Sequence, residues 1–340
     1  MPISWIDILV WMNEPANSHI LWNLLVFAAS VLVLSKSSHI VIKNSVKIAK
    51  ITKLGDLVIG FILLSVATSL PEMAVSFSAI TSGNAGISIG NIIGSNIANL
   101  GLVMAVPAII SPILIKRGTY EKLPTLLFLS SIIPLLLLTV YHVEKYVGAM
   151  LFLSFIFFSV YSVKKKISLK IISREPKSAL KKLLLPFEFY KSLLLLFFGI
   201  VIVITSSHYV VKSASEISAV LGIAESVIGA TVIAIGTSLP ELSVSLVAIK
   251  TRHSSMAIGN TIGSCLTNMT LILGLVLLLS PGTININIFS TLLLFVIGIT
   301  MVSWYFFTTG RTLDRKEGIS LLFIYLLFLI STFGVQITLI

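Results

Sequence analysis

Ten apolar runs, separated by short polar connections, set the pattern of this chain. Their cores are 20–42, 57–80, 88–112, 123–141, 146–163, 193–215, 226–249, 256–280, 289–308 and 319–339. Each is close to the roughly 20 residues that carry a helix across a hydrocarbon core. The pattern predicts an all-α polytopic membrane protein of about ten transmembrane helices. Two runs hold a glutamate in their interior: Glu72 within Thr68-Ser69-Leu70-Pro71-Glu72, and Glu241 within Thr237-Ser238-Leu239-Pro240-Glu241. An ionisable residue at membrane depth is costly and marks a functional site by default.

Composition sharpens this picture. Of 340 residues, 56% are hydrophobic and only 11% charged, with a mean hydropathy of +1.06. That balance excludes a soluble domain of this length. The single Cys265 excludes a disulfide framework and a cysteine metal cluster. A net charge of +11 would suit nucleic acid, but the positive residues are gathered in alternate connections, as membrane topology requires. Lys43, Lys47, Lys50 and Lys53 follow the first run; Lys116, Arg117 and Lys122 follow the third. Nine more lie between Lys164 and Lys191, then come Lys250 and Arg252, and Arg311, Arg315 and Lys316. These are 21 of the 24 basic residues. The positive-inside rule makes those connections cytoplasmic and both termini external. Residues 1–19 carry Asp7 and Glu14, lack the basic start of a cleavable signal, and read as a short interfacial lead-in. Met residues and Trp5, Trp11, Trp22 and Trp304 read as membrane filler and interface anchors.

The chain also repeats itself. Without a gap, at an offset of 169 positions from Thr68 to Thr237, Ser38-His39 meets Ser207-His208 and Val58-Ile59-Gly60 meets Val227-Ile228-Gly229. Gly90-Asn91 meets Gly259-Asn260, Gly94-Ser95 meets Gly263-Ser264, Asn99 meets Asn268, and Ser111-Pro112 meets Ser280-Pro281. Five spans per half is an odd number, so the second half inserts upside-down: two inverted five-helix repeats with a site near the midplane. The expected division is residues 1–163 (repeated motif about 55–112), a basic cytoplasmic linker 164–192, and residues 193–340 (motif about 224–281).

The repeated segments carry an all-oxygen chemistry. On a continuous helix Thr68 and Ser69 lie four and three residues before Glu72 and share its face. Pro71 lacks an N–H and leaves the Ala67 carbonyl without its helical donor; Pro240 does the same for Gly236. Carboxylate, hydroxyls and free carbonyls suit hard cations such as Na⁺ or Ca²⁺. The bland alternative, a proline-kinked packing helix, explains one copy better than two. Gly90 and Gly94, like Gly259 and Gly263, have small-xxx-small spacing for close helix approach. Ser95 and Asn99, and Ser264 and Asn268, are four apart and would complete an oxygen cage. His39 and His208 read as helix-bridging residues or proton sensors, and Lys36 as a side chain reaching the interface.

With Ala67-Thr68-Ser69-Leu70-Pro71-Glu72 and Gly90 to Asn99 in one half, and Gly236 to Glu241 and Gly259 to Asn268 in the other, the chain resembles the cation/Ca²⁺ exchanger superfamily. Within it, the Na⁺/Ca²⁺ exchanger branch fits best, through its repeats G-T-S-x-P-E and G-N-x-x-G-S-x-x-x-[N/D]. The match covers about 75 residues in each half. The resemblance implies an antiporter of the cell membrane, with Ca²⁺ and Na⁺ as substrates, the lipid bilayer as its surroundings, and no cofactor, nucleic acid or obligate protein partner. It implies ion ligands Glu72, Glu241, Thr68, Ser69, Thr237, Ser238, Ser95, Ser264, Asn99 and Asn268, with backbone carbonyls near Ser65 and Ala234. It further implies alternating access, with the first and sixth helices sliding past the other eight. Ala67 replaces the usual Gly, and His39 and His208 stand where an acidic residue is frequent. Asn268 stands where many relatives carry Asp, leaving two carboxylates. Two charges balance one Ca²⁺ or two Na⁺, which leads us to expect electroneutral 2:1 exchange.

Three other readings compete. A proton/Ca²⁺ exchanger would use Glu72 and Glu241 as proton carriers, but proton-coupled relatives usually carry a Glu where this chain has Gly94-Ser95 and Gly263-Ser264. An intramembrane metalloenzyme would need an asymmetric catalytic group, whereas the intramembrane ionisable residues here are almost all duplicated. A channel fits the oxygen ligands but not the repeat.

Overall fold

A computed structural model of the chain describes residues 15–51, 64–114, 123–164, 185–250, 254–309 and 312–337. Most of the expected lead-in (1–14) and of the basic linker (165–184) lies outside the described residues. The first half contains α1 (Pro15–Ile51), α2 (Leu64–Thr68), α3 (Leu70–Thr81), α4 (Ala85–Ala98), α5 (Ala105–Ile110), α6 (Leu123–Leu137) and α7 (Lys145–Lys164). The second contains α8 (Leu185–Leu221), α9 (Glu225–Ile228), α10 (Ala234–Thr237), α11 (Leu239–Lys250), α12 (Ser254–Thr267), α13 (Leu273–Leu279), α14 (Ser290–Thr309) and α15 (Arg315–Ile337). Three π-helical segments, Asn99–Met104, Gly229–Ile233 and Asn268–Ile272, join α4 to α5, α9 to α10 and α12 to α13.

Each expected apolar run is mostly helical where it is described, but the ends of the runs at 88–112 and 123–141 are not. Among the described residues, six helices are long and apolar enough to cross a membrane, or seven if the bent pair spanning Glu225–Lys250 counts as one. The runs at 123–141 and 146–163 give the shorter apolar helices 126–137 and 145–160, and the run at 57–80 is described only from Leu64.

Two helices outrun the apolar pattern. α1 and α8 have 37 residues each, about 55 Å at 1.5 Å per residue, against a hydrocarbon core of about 30 Å. The expected first span ended at residue 42. The basic stretch that follows has no Gly or Pro to stop the helix, so Lys43 and Lys47 ride on it instead of starting a loop. α1 and α8 pack along one another, with Gly199 admitting Val41, and Lys47 pairs with Glu188 between them. Both are largely exposed on their outer faces, whereas α4–α5 and α12–α13 are almost wholly buried.

That buried pair forms the core. Ile89, Ile92, Ile93 and Ile97 from α4 meet Ile258, Ile262 and Cys265 from α12, with Leu293, Val296 and Ile299 of α14 behind them. A smaller cluster joins Val31 and Leu34 of α1, Val75 and Ala79 of α3, and Val210 and Val211 of α8. At the ends of the spans, four two-residue strands make two antiparallel clamps. β1 (Ile113–Leu114) pairs with β4 (Thr312–Leu313), and β2 (His142–Val143) with β3 (Ile284–Asn285). Each clamp ties a segment of one half to a segment of the other.

Candidate functional site

The two repeated segments are broken helices. α2 stops at Thr68 and α3 starts at Leu70, with Ser69 between them at φ −82°, ψ 15° and Pro71 in the first turn. Ser238 separates α10 from α11 in the same way, at φ −82°, ψ 3°, and the two parts are bent by 40°. Proline fits a first helical turn without strain but kinks or breaks a helix deeper in, and here each helix breaks one turn before its glutamate.

This break changes the expected partnership. Thr68 and Ser69 do not face their own Glu72. The Ser69 hydroxyl donates a long bond to Glu241 Oε1 (3.5 Å), and Ser238 donates to Glu72 Oε1 (3.2 Å). Ser264 adds a donor to Glu241 Oε1 at 3.4 Å. Thr68 donates to Asn260 Oδ1 (3.2 Å) and lies 3.1 Å from Ser264 Oγ. Its counterpart Thr237 donates to Asn91 Oδ1 (3.1 Å) and lies 3.4 Å from Ser95 Oγ. Each half thus supplies the hydroxyls that meet the other half's repeat. Thr68, Ser69, Glu72, Ser95, Asn99, Thr237, Ser238, Glu241, Ser264 and Asn268 are all buried.

Close backbone packing makes the crossing possible. A Cβ on Gly90 would stand 2.5 Å from the Ser226 carbonyl oxygen, and one on Gly94 2.2 Å from that of Ala230. Gly229 faces Ile87 across the same contact, where a Cβ would lie 2.7 Å from the carbonyl oxygen. Only hydrogen-bearing glycines let α4 settle on this segment and bring Asn91 and Ser95 to Thr237. The equivalent segment in the first half, residues 57–61, lies outside the described residues.

Asn91 and Asn260 complete the frame, and reasoning from the sequence missed them as site residues. Asn91 Nδ2 donates to the Glu72 carbonyl (3.3 Å) and to Ser76 Oγ (3.0 Å); Asn260 Nδ2 reaches the Glu241 carbonyl at 3.5 Å. Their signal was present, since both belong to the duplicated Gly-Asn pairs. A third asparagine, Asn96, contacts Asn268 and the Cys265 backbone; it has no duplicate and left no such signal. The Ala234 carbonyl, which the resemblance implies as an ion ligand, accepts from the Ser238 N–H (3.1 Å) and Thr237 Oγ1 (3.3 Å). Ser65 lies in α2, and its side chain is outside the described residues. His39, His208 and Lys36 are exposed on α1 and α8 and take no part in the cluster.

Several polar atoms in this cluster have no hydrogen-bond partner: Glu72 Oε2, Glu241 Oε2, both amide atoms of Asn99, and Asn268 Oδ1. A buried polar atom without a partner costs about 1–3 kcal/mol, so these five, all on the repeated motifs, call for an explanation. Among the described residues the only ion pair is Lys47–Glu188, and none of their basic side chains pairs with Glu72 or Glu241. The unpartnered atoms are oxygens except for one amide nitrogen, and Asn99 and Asn268 each begin a π-helical segment. Such segments recur at functional sites. The arrangement holds a pair of carboxylates, ringed by hydroxyls, that only a cation or protons can balance.

Known proteins match this chain over most of its length. The family model described as sodium/calcium exchanger protein matches residues 22–164 and 191–334. The sodium/calcium exchanger MaX1 of Methanosarcina acetivorans is 32% identical over 345 residues, covering 92% of this chain and 98% of that protein. The inner membrane protein YrbG of Escherichia coli is 28% identical over 231 residues, covering 67% of this chain and 71% of its own length. A solved structure of the sodium-calcium exchanger NCX_Mj superposes with a TM-score of 0.62 at 28% identity, covering 91% of this chain and 97% of that one.

Proposed function

Because the chain belongs to the sodium/calcium exchanger family, a family of multi-pass membrane transporters and not enzymes, we propose that it exchanges Na⁺ for Ca²⁺ across the cell membrane by alternating access. The observation that carries this reading is the pair of buried, unpartnered carboxylate oxygens on Glu72 and Glu241. Glu72, Glu241, Asn99 and Asn268 would hold the ions, with Thr68, Ser69, Ser95, Thr237, Ser238 and Ser264 around them. Uncompensated buried charge is strongly unfavourable, so the site cannot cross the membrane empty. Ca²⁺ in one direction must be answered by cations in the other, and exchange is obligatory.

The halves would lie in opposite senses in the membrane, giving ten spans and external termini. Two carboxylates balance one Ca²⁺ or two Na⁺. With the neutral Asn268 in place of a third carboxylate, the transported unit carries no net charge in either direction. The deciding experiment is ⁴⁵Ca²⁺ uptake into proteoliposomes under an outward Na⁺ gradient. Uptake that requires Na⁺, and whose rate is the same with a K⁺/valinomycin potential of either sign, is expected. A rate that follows the potential would refute the 2:1 ratio; uptake driven by an acidic lumen without Na⁺ would transfer the role to protons.

The reciprocal serines give a second expectation. Ser69→Ala and Ser238→Ala each remove one donor from the opposite half's carboxylate. A hydrogen bond to a charged group contributes about 1.5–3 kcal/mol, and Ser69–Glu241 is the longer of the two. Initial-rate measurements should show a higher KM for Ca²⁺ in both variants, about tenfold for Ser238→Ala and less for Ser69→Ala. The reverse order would mean that the hydroxyls act on something other than the glutamates.

A further inference from the structure

Asn96 does not belong to the duplicated pattern, because its counterpart 169 positions later is Cys265. It is nonetheless almost fully buried beside Asn268, with 3% exposure against 0%. Its Nδ2 donates to the Cys265 backbone carbonyl at 3.2 Å, and its Oδ1 accepts from Asn268 Nδ2 at 3.0 Å. The two ends of a side-chain amide are ordinarily hard to tell apart, but here a backbone carbonyl anchors the series. A carbonyl only accepts, so the nitrogen of Asn96 must face it and the oxygen must face Asn268. Asn268 must then turn its own nitrogen to Asn96, which leaves Asn268 Oδ1 pointing elsewhere, buried and without a partner. Asn99, the counterpart of Asn268, has no such anchor: both its amide atoms are unpartnered, and the position that would orient it carries the Cys265 side chain.

We propose that Asn96 is a positioning residue that fixes the polarity of the Asn268 amide, so that Asn268 offers an oxygen, and a neutral one, to the transported cation. This rests on the exchange reading and deepens it. The same frame selects against a carboxylate at position 268. An ionised carboxylate there would set oxygen against Asn96 Oδ1, and flipping Asn96 would only move the clash to the Cys265 carbonyl. One acceptor–acceptor contact survives in either orientation. The neutral amide that makes the site divalent in charge is therefore held in place by a residue one helix away.

The test is a double-mutant cycle on the full chain in proteoliposomes, reading KM for Ca²⁺ and maximal rate under a fixed Na⁺ gradient. Asn96→Leu, close in size but without polar atoms, should raise KM about fivefold with the maximal rate near wild type. In an Asn268→Ala background the same substitution should leave KM unchanged. Equal factors in both backgrounds would overturn the inference, and so would a fall in maximal rate at constant KM, the mark of a purely structural role. Should Asn268→Ala fail to reconstitute, Asn268→Asp decides the matter. It should lose most Ca²⁺ uptake with Asn96 present and regain it with Asn96→Leu; equal activity in the two contexts would overturn the proposal. Absence of Na⁺-driven uptake by the wild type would defeat the exchange reading and this inference with it, whereas normal wild-type flux with an additive cycle would defeat the inference alone.

Discussion

Glu72→Gln and Glu241→Gln are each expected to lower Na⁺-driven ⁴⁵Ca²⁺ uptake by at least about a hundredfold, or about 2.7 kcal/mol. The substitution keeps the shape of the side chain and an oxygen that still accepts from Ser238 in one case, and from Ser69 and Ser264 in the other. What it removes is one charge. A Ca²⁺ ion held by a single carboxylate leaves an excess positive charge in a site with no exposure to water, and breaking a buried pair in this way typically costs about 3–5 kcal/mol. The hydroxyl partners differ in number, one on Glu72 and two on Glu241, but the charge lost is the same, so both variants should fall below that limit. Size-exclusion profiles and melting temperatures should stay near wild type, which separates lost transport from lost folding. Either variant retaining more than about a tenth of wild-type uptake would show that one carboxylate suffices, and the charge argument would fail.

Among the glycines whose surroundings are described, Gly94→Ala should be the most damaging. Its Cβ would sit 2.2 Å from the Ala230 carbonyl oxygen and 2.4 Å from the Ala230 Cα. These are backbone atoms that no rotamer change can move, so α4 and the Gly229–Ile233 segment must separate. Overpacking a core usually costs about 1–3 kcal/mol, and a displaced helix pair lies at or above the top of that range. Separation would also withdraw Ser95 and Asn91 from Thr237. The expected result is a loss of monodisperse protein in detergent, or a melting temperature lower by several degrees with transport reduced in step. Gly298→Ala provides the control, since nothing lies within 4 Å of the Cβ it would add. A Gly94→Ala protein as stable as Gly298→Ala would mean that the close contact does not bear on stability.

Much of this was legible in the residues. Apolar runs alone located the helices, and the ungapped repeat picked out Glu72 and Glu241 before any coordinates. The Gly90–Gly94 spacing announced a close helix contact, although not that its partner is the Ser226–Ala230 segment. The failures share a physical cause. Helical periodicity tells which side chains share a face only while the helix continues, and both helices break at the serines between Thr68 and Leu70 and between Thr237 and Leu239. Past such a break, the face of Thr68 and Ser69 is set by the opposite half. Asn91 and Asn260 lay inside the duplicated motif, but no role followed from their repetition alone. Asn96 could not be found from repetition, because its role depends on differing from Cys265. The ends of α1 and α8 were misjudged because lysines near a helix terminus resemble the start of a loop when only polarity is counted.

The exchange of partners between the halves also bears on how such a chain can diverge. If one gene encoded a single half and used it twice, a change at the serine would alter both hydroxyl–carboxylate contacts at once, and a change at Asn96 would appear at both positions. Joined in one chain, each copy is inherited separately. Ser69 and Ser238, Glu72 and Glu241, and Thr68 and Thr237 have kept a shared identity, and each lies on the buried crossing between halves. Asn96 and Cys265 have parted, at the one place where the two amides of the site are held differently. Fusion thus permits a lineage to tune one side of a paired site while the other side is left as it was.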